Sequence, residues 1–272
     1  MATEPAHFTR SQDGEFSPTR FALSHWGDDH LNGPAVVGLA AQVLENHFGS
    51  ADFMPTRLTV DLFRAARSAR TKVDVRVVRD GRRVRSAECD VLQDGRAVAR
   101  ATLVQYRRSS APPGRQWTAS MPQPAPPPPD DQMMPFIGSE AGWTRTPATH
   151  QNDSRKTFYY GGINVVEGEK VSPFVRAAIV AEATSLVTNL GTAGIGYING
   201  DLTVALSRLP VDEWICIQGD SHWASDGIAV GTATLFDHEG AFGSGLTTAV
   251  ANPAAQIDFT TRSFEKRGLD YE

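Results

Sequence analysis

A seven-residue motif occurs twice in this chain. Residues 58–64 read LTVDLFR and residues 202–208 read LTVALSR. The surroundings of the two copies follow one order. Upstream, Asn32-Gly33-Pro34 opens the run AVVGLAAQVLENHF, and Val171-Ser172-Pro173 opens FVRAAIVAEATSLVTNL. Downstream, an Asp-Gly turn precedes AVARATLVQYR in the first copy, and Asp237 to Gly240 precedes AFGSGLTTAV in the second. Several matched elements in one order mark an internal duplication. The chain must therefore fold as two copies of one unit, and 272 residues give each copy the size of a small domain.

A proline-rich stretch separates the copies. Nine of the 17 prolines fall within residues 109–135. Such sequence favours extended, solvated backbone. The expected organisation is an N-terminal unit over 1–108, a linker over 109–135 and a C-terminal unit with its tail over 136–272.

Within each unit the pattern is a helix followed by strands. Asn32 or Gly33 caps the first helix and Pro34 suits its first turn. That helix is apolar nearly all round until Glu45, so it needs burial on most sides. Ser172 and Pro173 open the second helix, which the periodicity carries through Leu186. Strands follow from alternation at Leu58–Leu62, Lys72–Val77, Val84–Leu92 and Ala97–Tyr106. The second unit repeats them at Leu202–Leu206, Trp214–Asp220, Ile228–Phe236 and Phe242–Val250. One buried helix wrapped by a curved antiparallel sheet satisfies this pattern.

Composition excludes several classes. A net charge of −5 disfavours nucleic-acid binding. Two cysteines, Cys89 and Cys216, form no disulfide framework and no zinc pattern. Asp28-Asp29-His30 has no partners at metal-ligand spacing and reads as a solvated loop. No apolar run is long enough for a membrane span, and the polar N-terminus predicts a cytoplasmic protein. Gly243-Ser244-Gly245 lacks the first glycine of a nucleophile elbow, which disfavours a Ser-His-Asp hydrolase. No phosphate-binding glycine loop opens a helix.

The pattern resembles the hotdog fold, and the two-unit chain resembles a double hotdog of the TesB-like acyl-CoA thioesterase family. The likeness rests on Asn199-Gly200-Asp201-Leu202-Thr203 with Arg208 and Pro210 after it, and on Gly33 at the mouth of the first helix. It covers roughly residues 20–107 and 158–251, as the repeat delimits them. It implies an α+β double hotdog that hydrolyses fatty acyl-CoA to free acid and CoA. Family members hold a water with an Asp, a hydroxyl residue on the next strand and a Gln on the last strand. Asp201 matches the Asp, the hydroxyl maps near Ser221 or His222, and the Gln position falls on Thr247. Threonine has a shorter reach and no amide donor.

Thioester hydrolysis needs a positioned water, a base and donors for the developing oxyanion. Asp201 is the expected base. Its counterpart in the first unit is Arg57, so one site per chain is expected. The helix mouth offers N–H groups; Pro34 has none, so the donor is Gly33, Ala35 or Val36, and Gly33 is preferred because it lets a ligand approach the backbone closely. The bland readings are a turn for Asp201, a cap for Gly33 and ordinary strand positions for Ser221 and Thr247. The arginines from Arg64 to Arg85 read as an outer sheet face, with coenzyme A phosphates as a second reading. No cofactor or metal is expected. The expected partner is the acyl-CoA substrate, with no nucleic acid and no membrane span, and a homodimer of double hotdogs is a further expectation. Two rival functions are an inactive acyl-CoA-binding hotdog protein and a hotdog enoyl-CoA hydratase or dehydratase.

Overall fold

The computed structural model describes residues 4–128 and 134–261. Part of the expected linker, 129–133, and the end of the C-terminal tail, 262–272, lie outside the described residues. Twelve strands form one sheet, numbered here in chain order. The first half supplies β1 (Phe53–Leu62), β2 (Lys72–Asp80), β3 (Val84–Gln93) and β4 (Arg96–Arg107). The second supplies β5 (Phe136–Ser139), β6 (Gly142–Thr144), β7 (Thr157–Tyr160) and β8 (Tyr197–Asn199). It continues with β9 (Asp201–Leu206), β10 (Ile215–Ser225), β11 (Ile228–Asp237) and β12 (Gly240–Ala251). The order across the sheet is β2-β3-β4-β1-β9-β12-β11-β10-β7-β5-β6, with β8 paired to β12.

The two halves join where β1 meets β9. Thr59 lies opposite Thr203, with Leu58 opposite Val204 and Val60 opposite Leu202. The repeated LTV triplets thus pair with each other about an internal two-fold axis. The Thr59 and Thr203 hydroxyls, 144 residues apart, meet on that axis at 3.0 Å.

Helix α1 (Gly33–Phe48) is buried along most of its length, from Ala35 to Leu44. Asn32 caps it by accepting the Ala35 N–H at 2.8 Å. Against α1 packs α2 (Pro173–Ala181), capped by Ser172. The approach is close: a Cβ at Gly38 would stand 3.1 Å from Ile179 Cγ1 and 3.0 Å from Val165 Cγ2. The sheet curves around this helix pair and buries Leu58, Val60, Leu103, Leu202, Val204 and Leu235. Fully burying a large aliphatic side chain contributes about 1.5–3 kcal/mol, so the helix faces supply much of the stability.

The second helix is not continuous. It stops at Ala181 and resumes as α3 (Thr184–Asn189). Thr184 Oγ1 donates to Ala181 O at 2.6 Å, and the Ala183 N–H turns to Val180 O. A hydroxyl that takes a helix carbonyl in this way bends the chain. The strands β5, β6 and β7, not expected from alternation, extend the sheet beyond β10. The N-terminal strand Ala6–Arg10 pairs in parallel with Asn164–Val166, tying the start of the chain to the second half. Among the described residues, no helix is long and apolar enough to cross a membrane.

Candidate active site

A chamber of about 440 Å³ opens at the N-terminus of α1. Its walls come from both halves. Leu31, Val36, Leu62 and Val98 line it from the first, and Ile198 and Val250 from the second. His30, Asn32, Gly33, Glu182 and Asn199 bring the polar atoms.

Gly33 is where the expectation placed it. The Ala35 N–H is taken by Asn32 Oδ1, the Val36 N–H reaches Asn32 O, and Pro34 has no N–H. Among the described residues, the Gly33 N–H is therefore the first-turn amide left without a helix or cap partner. Asn32 is fully used as a cap, since its Nδ2 donates to Phe21 O and Leu23 O.

Glu182 lies directly on this helix mouth. A Cβ at Gly33 would stand 1.9 Å from Glu182 Oε1, so any side chain there would displace the carboxyl from the helix mouth. The break between α2 and α3 places the Glu182 carboxyl at the chamber instead of inside a helical groove. The residue keeps some accessible surface because the chamber reaches it, but protein surrounds the carboxyl. Burial pushes its pKa up to about 8, although the neighbouring Asn199 carboxamide favours the ionised form. Asn199 lines the chamber, and its buried Nδ2 has no partner among the described residues other than the neighbouring Glu182 carboxyl.

The other expected residues are not gathered here. Asp201 begins β9 one residue after Gly200, which lines the chamber. Asn199 is opposite Ala249 while Thr203 is opposite Leu246, so β8–β9 uses one more residue than β12 over the same span. Gly200 is that extra residue, a bulge that reverses the alternation. Asn199 consequently faces the chamber, and Asp201 lies on the opposite face from Leu202 and Val204. The Asp201 carboxylate is satisfied there: Oδ1 accepts the Thr248 N–H at 2.7 Å and Oδ2 accepts the Thr248 hydroxyl. Thr247 is buried, and its hydroxyl donates to Asp201 O at 2.8 Å, tying β12 to β9. Ser221 shares a hydrogen bond with Thr232 at 2.6 Å, and the His222 ring packs edge-on against Tyr197. Those two residues line a separate hollow of about 610 Å³ beyond the end of α3.

Sequence reasoning thus missed Glu182 and Asn199. The signal for Glu182 was a single carboxylate inside the apolar run AAIVAEATSLV. Asn199 was hidden because Asn-Gly reads as a turn, where the fold makes it a bulge.

Comparison with known proteins agrees with this architecture. Residues 23–106 match the acyl-CoA thioesterase N-terminal domain, and residues 110–249 match the acyl-CoA thioesterase C-terminal domain. No curated protein sequence matches the chain. Among solved structures, the chain is similar to the tesB protein of Mycobacterium avium subspecies paratuberculosis. The TM-score is 0.62 at 16% identity, covering 90% of this chain and 96% of that one. It is similar to acyl-CoA thioesterase II of Mycobacterium marinum, with a TM-score of 0.60 at 15% identity, covering 90% and 94%. A hot dog fold protein from Alicyclobacillus acidocaldarius matches with a TM-score of 0.64 at 13% identity, covering 88% and 92%. At these identities the solved structures speak for the fold, and the two matched domains speak for the family. With two helix-in-sheet units sharing one sheet and both domains of the family matched in order, the chain is a double hotdog and belongs to the acyl-CoA thioesterase family of thioester hydrolases.

Proposed function

We propose that this protein hydrolyses acyl-CoA thioesters in the chamber at Gly33, with Glu182 as the general base in place of Asp201. The observation that carries this is one juxtaposition. A carboxyl of raised pKa, an uncommitted helix-mouth N–H and a buried amide donor beside the carboxyl share one largely apolar chamber. The acyl group occupies the surface of Val36, Leu62, Val98 and Val250.

Ionised Glu182 takes a proton from water as the water oxygen bonds to the thioester carbon. The carbonyl oxygen becomes an oxyanion and accepts from the Gly33 N–H and Asn199 Nδ2. Both donors are pre-set, and the helix end adds a favourable positive potential. Collapse of this intermediate breaks the carbon–sulfur bond. Glu182 returns its proton to the leaving thiolate, so one thioester and one water give one carboxylic acid and one thiol. Asp201 acts at a distance by fixing β9 against β12 through Thr248 and Thr247.

Thiol release from acyl-CoA tests the assignment. Glu182→Gln is expected to lower kcat by roughly 10²–10⁴-fold, the usual worth of a positioned proton acceptor. Turnover by Glu182→Gln at the parent rate would sink the base assignment. Tight binding without thiol release by the parent would instead support the acyl-CoA-binding alternative.

A further inference from the structure

The internal two-fold gives the active chamber a counterpart at the other end of the helix pair. There Glu45 on α1 meets Ser172, the N-cap of α2, whose hydroxyl donates to Glu45 Oε2 at 2.5 Å. At the 144-residue spacing of the repeat, Pro55 stands where Asn199 stands, and Leu209 stands where Ala65 stands. The counterpart hollow measures about 180 Å³ against about 440 Å³. It has lost the hydrolytic set: Pro55 offers no donor, and the Ser172 hydroxyl holds the carboxyl.

Two features argue that it holds a ligand. Gln105 lines the hollow and is only 1% exposed. Its Nε2 donates to Phe48 O at 3.1 Å, while its Oε1 has no partner among the described residues. A buried acceptor left unpaired is costly, and a ligand N–H would satisfy it. The second feature is charge. Arg108 lines this hollow and also an adjoining surface hollow of about 640 Å³, with Arg82, Arg83 and Arg107. Arg107 pairs with Asp52 at 3.2 Å. Among the described residues, Arg82, Arg83 and Arg108 pair with no carboxylate.

We propose that this is a second, non-hydrolysing site for free coenzyme A. Its phosphates lie on the guanidinium forks outside, which suit them. Its narrow pantetheine arm enters the hollow and gives an amide N–H to Gln105 Oε1. The inner hollow is too small to add a long acyl chain, so the site favours the free thiol product over its acylated form. The choice of ligand rests on the thioesterase reading, whereas the site itself is independent of Glu182.

Calorimetric titration of the full chain with free coenzyme A tests this. The Glu182→Gln background is used throughout, so that the active chamber is the same in every arm. Two variants report on the two parts of the site: the triple Arg82→Ala/Arg83→Ala/Arg108→Ala, and Ala51→Trp, which fills the hollow from its rim. Both are expected to lose one coenzyme A per chain, or to weaken that site at least tenfold. Pantetheine, which lacks the phosphates, should bind the unmodified site more weakly by a similar factor. Unchanged stoichiometry and affinity in the arginine triple would overturn the proposal. So would loss in the triple with none in Ala51→Trp, which would leave only a surface anion patch. If the parent releases no thiol yet keeps an arginine-dependent coenzyme A site, the hydrolytic reading fails and this one stands.

Discussion

Asn199 and Asp201 lie two positions apart and face opposite sides of the sheet, because Gly200 is inserted between them. Local sequence shows an acid at a turn. Only the pairing with β12 shows that the alternation reverses, so this part of the site could not be read from residues alone. The start of α1 was legible because helix punctuation is local: Asn32 caps, Pro34 removes one donor, and the Gly33 amide is left over. Asn199→Ala is expected to lower kcat by roughly 10²-fold, in the range found for an oxyanion donor. Its effect on stability should be small, since Nδ2 has no partner among the described residues besides the Glu182 carboxyl. It should also move the pH–rate midpoint upward, because the amide favours ionised Glu182. A base with a pKa of about 8 gives parent activity that climbs with pH and levels off above that value. The same group has a stability signature. Folded Glu182 holds its proton up to about pH 8, while the unfolded carboxyl loses it near its ordinary value of 4.5. Between these values the folded state binds more protons, so stability falls as pH rises and flattens above about 8. Glu182→Gln removes this slope. Thermal melts should show the variant gaining on the parent from pH 5 to 8, and parallel curves would refute the burial of a titrating carboxyl.

The helices and long strands were legible as elements, because burial on one or two faces leaves a period in the sequence. α1 reads as a helix that must be surrounded, and it is. The second helix reads as continuous, because Val175, Ala178, Ile179, Ala183 and Leu186 keep helical spacing across the break. What interrupts it is a single hydroxyl, that of Thr184, bonding back to Ala181. No periodicity records such a choice. The strands β5, β6 and β7 are three to four residues long, too short for alternation to show. The α1–α2 contact depends on Gly38, which brings the helices within reach of Ile179 and Val165. Gly38→Val would force side chains into that seam. A loss of about 1–3 kcal/mol is expected from such overpacking, measured by denaturant midpoint. An unchanged midpoint would mean that the helices separate without cost.

Across the whole molecule, the duplication was legible and its geometry follows from it. Two copies of one unit meet through the same triplet, and the dyad passes between Thr59 and Thr203. That arrangement makes the halves depend on each other: the chamber takes Gly33 from one and Glu182 from the other. Residues 1–108 and 109–272 expressed apart should therefore be insoluble or lack fixed tertiary structure, since each exposes one face of a buried helix. Expressed together, they should elute as a one-to-one complex that releases thiol from acyl-CoA. A soluble, cooperatively melting single half would contradict the shared core. What the duplication could not show is how far the copies have drifted apart. That divergence is written in single exchanges such as Asn199 against Pro55, which matter only once the chamber around them is known.

The shared sheet is open, and it ends on β2 on one side. An open edge is a template on which another chain can grow by adding strand to strand. β2 alternates exposed Lys72, Asp74 and Arg76 with half-buried Val73 and Val75, with Lys72 paired to Asp74 at 3.1 Å and Arg76 held by Glu88 and Asp90 of β3. A molecule approaching in line would have to desolvate a fixed row of charges before forming its first backbone bond. The barrier to templated growth is therefore set by a few residues on one border, and not by the modest net charge of −5. Neutralising that border would leave the chamber at Gly33 intact while opening this edge to strand addition by a second chain.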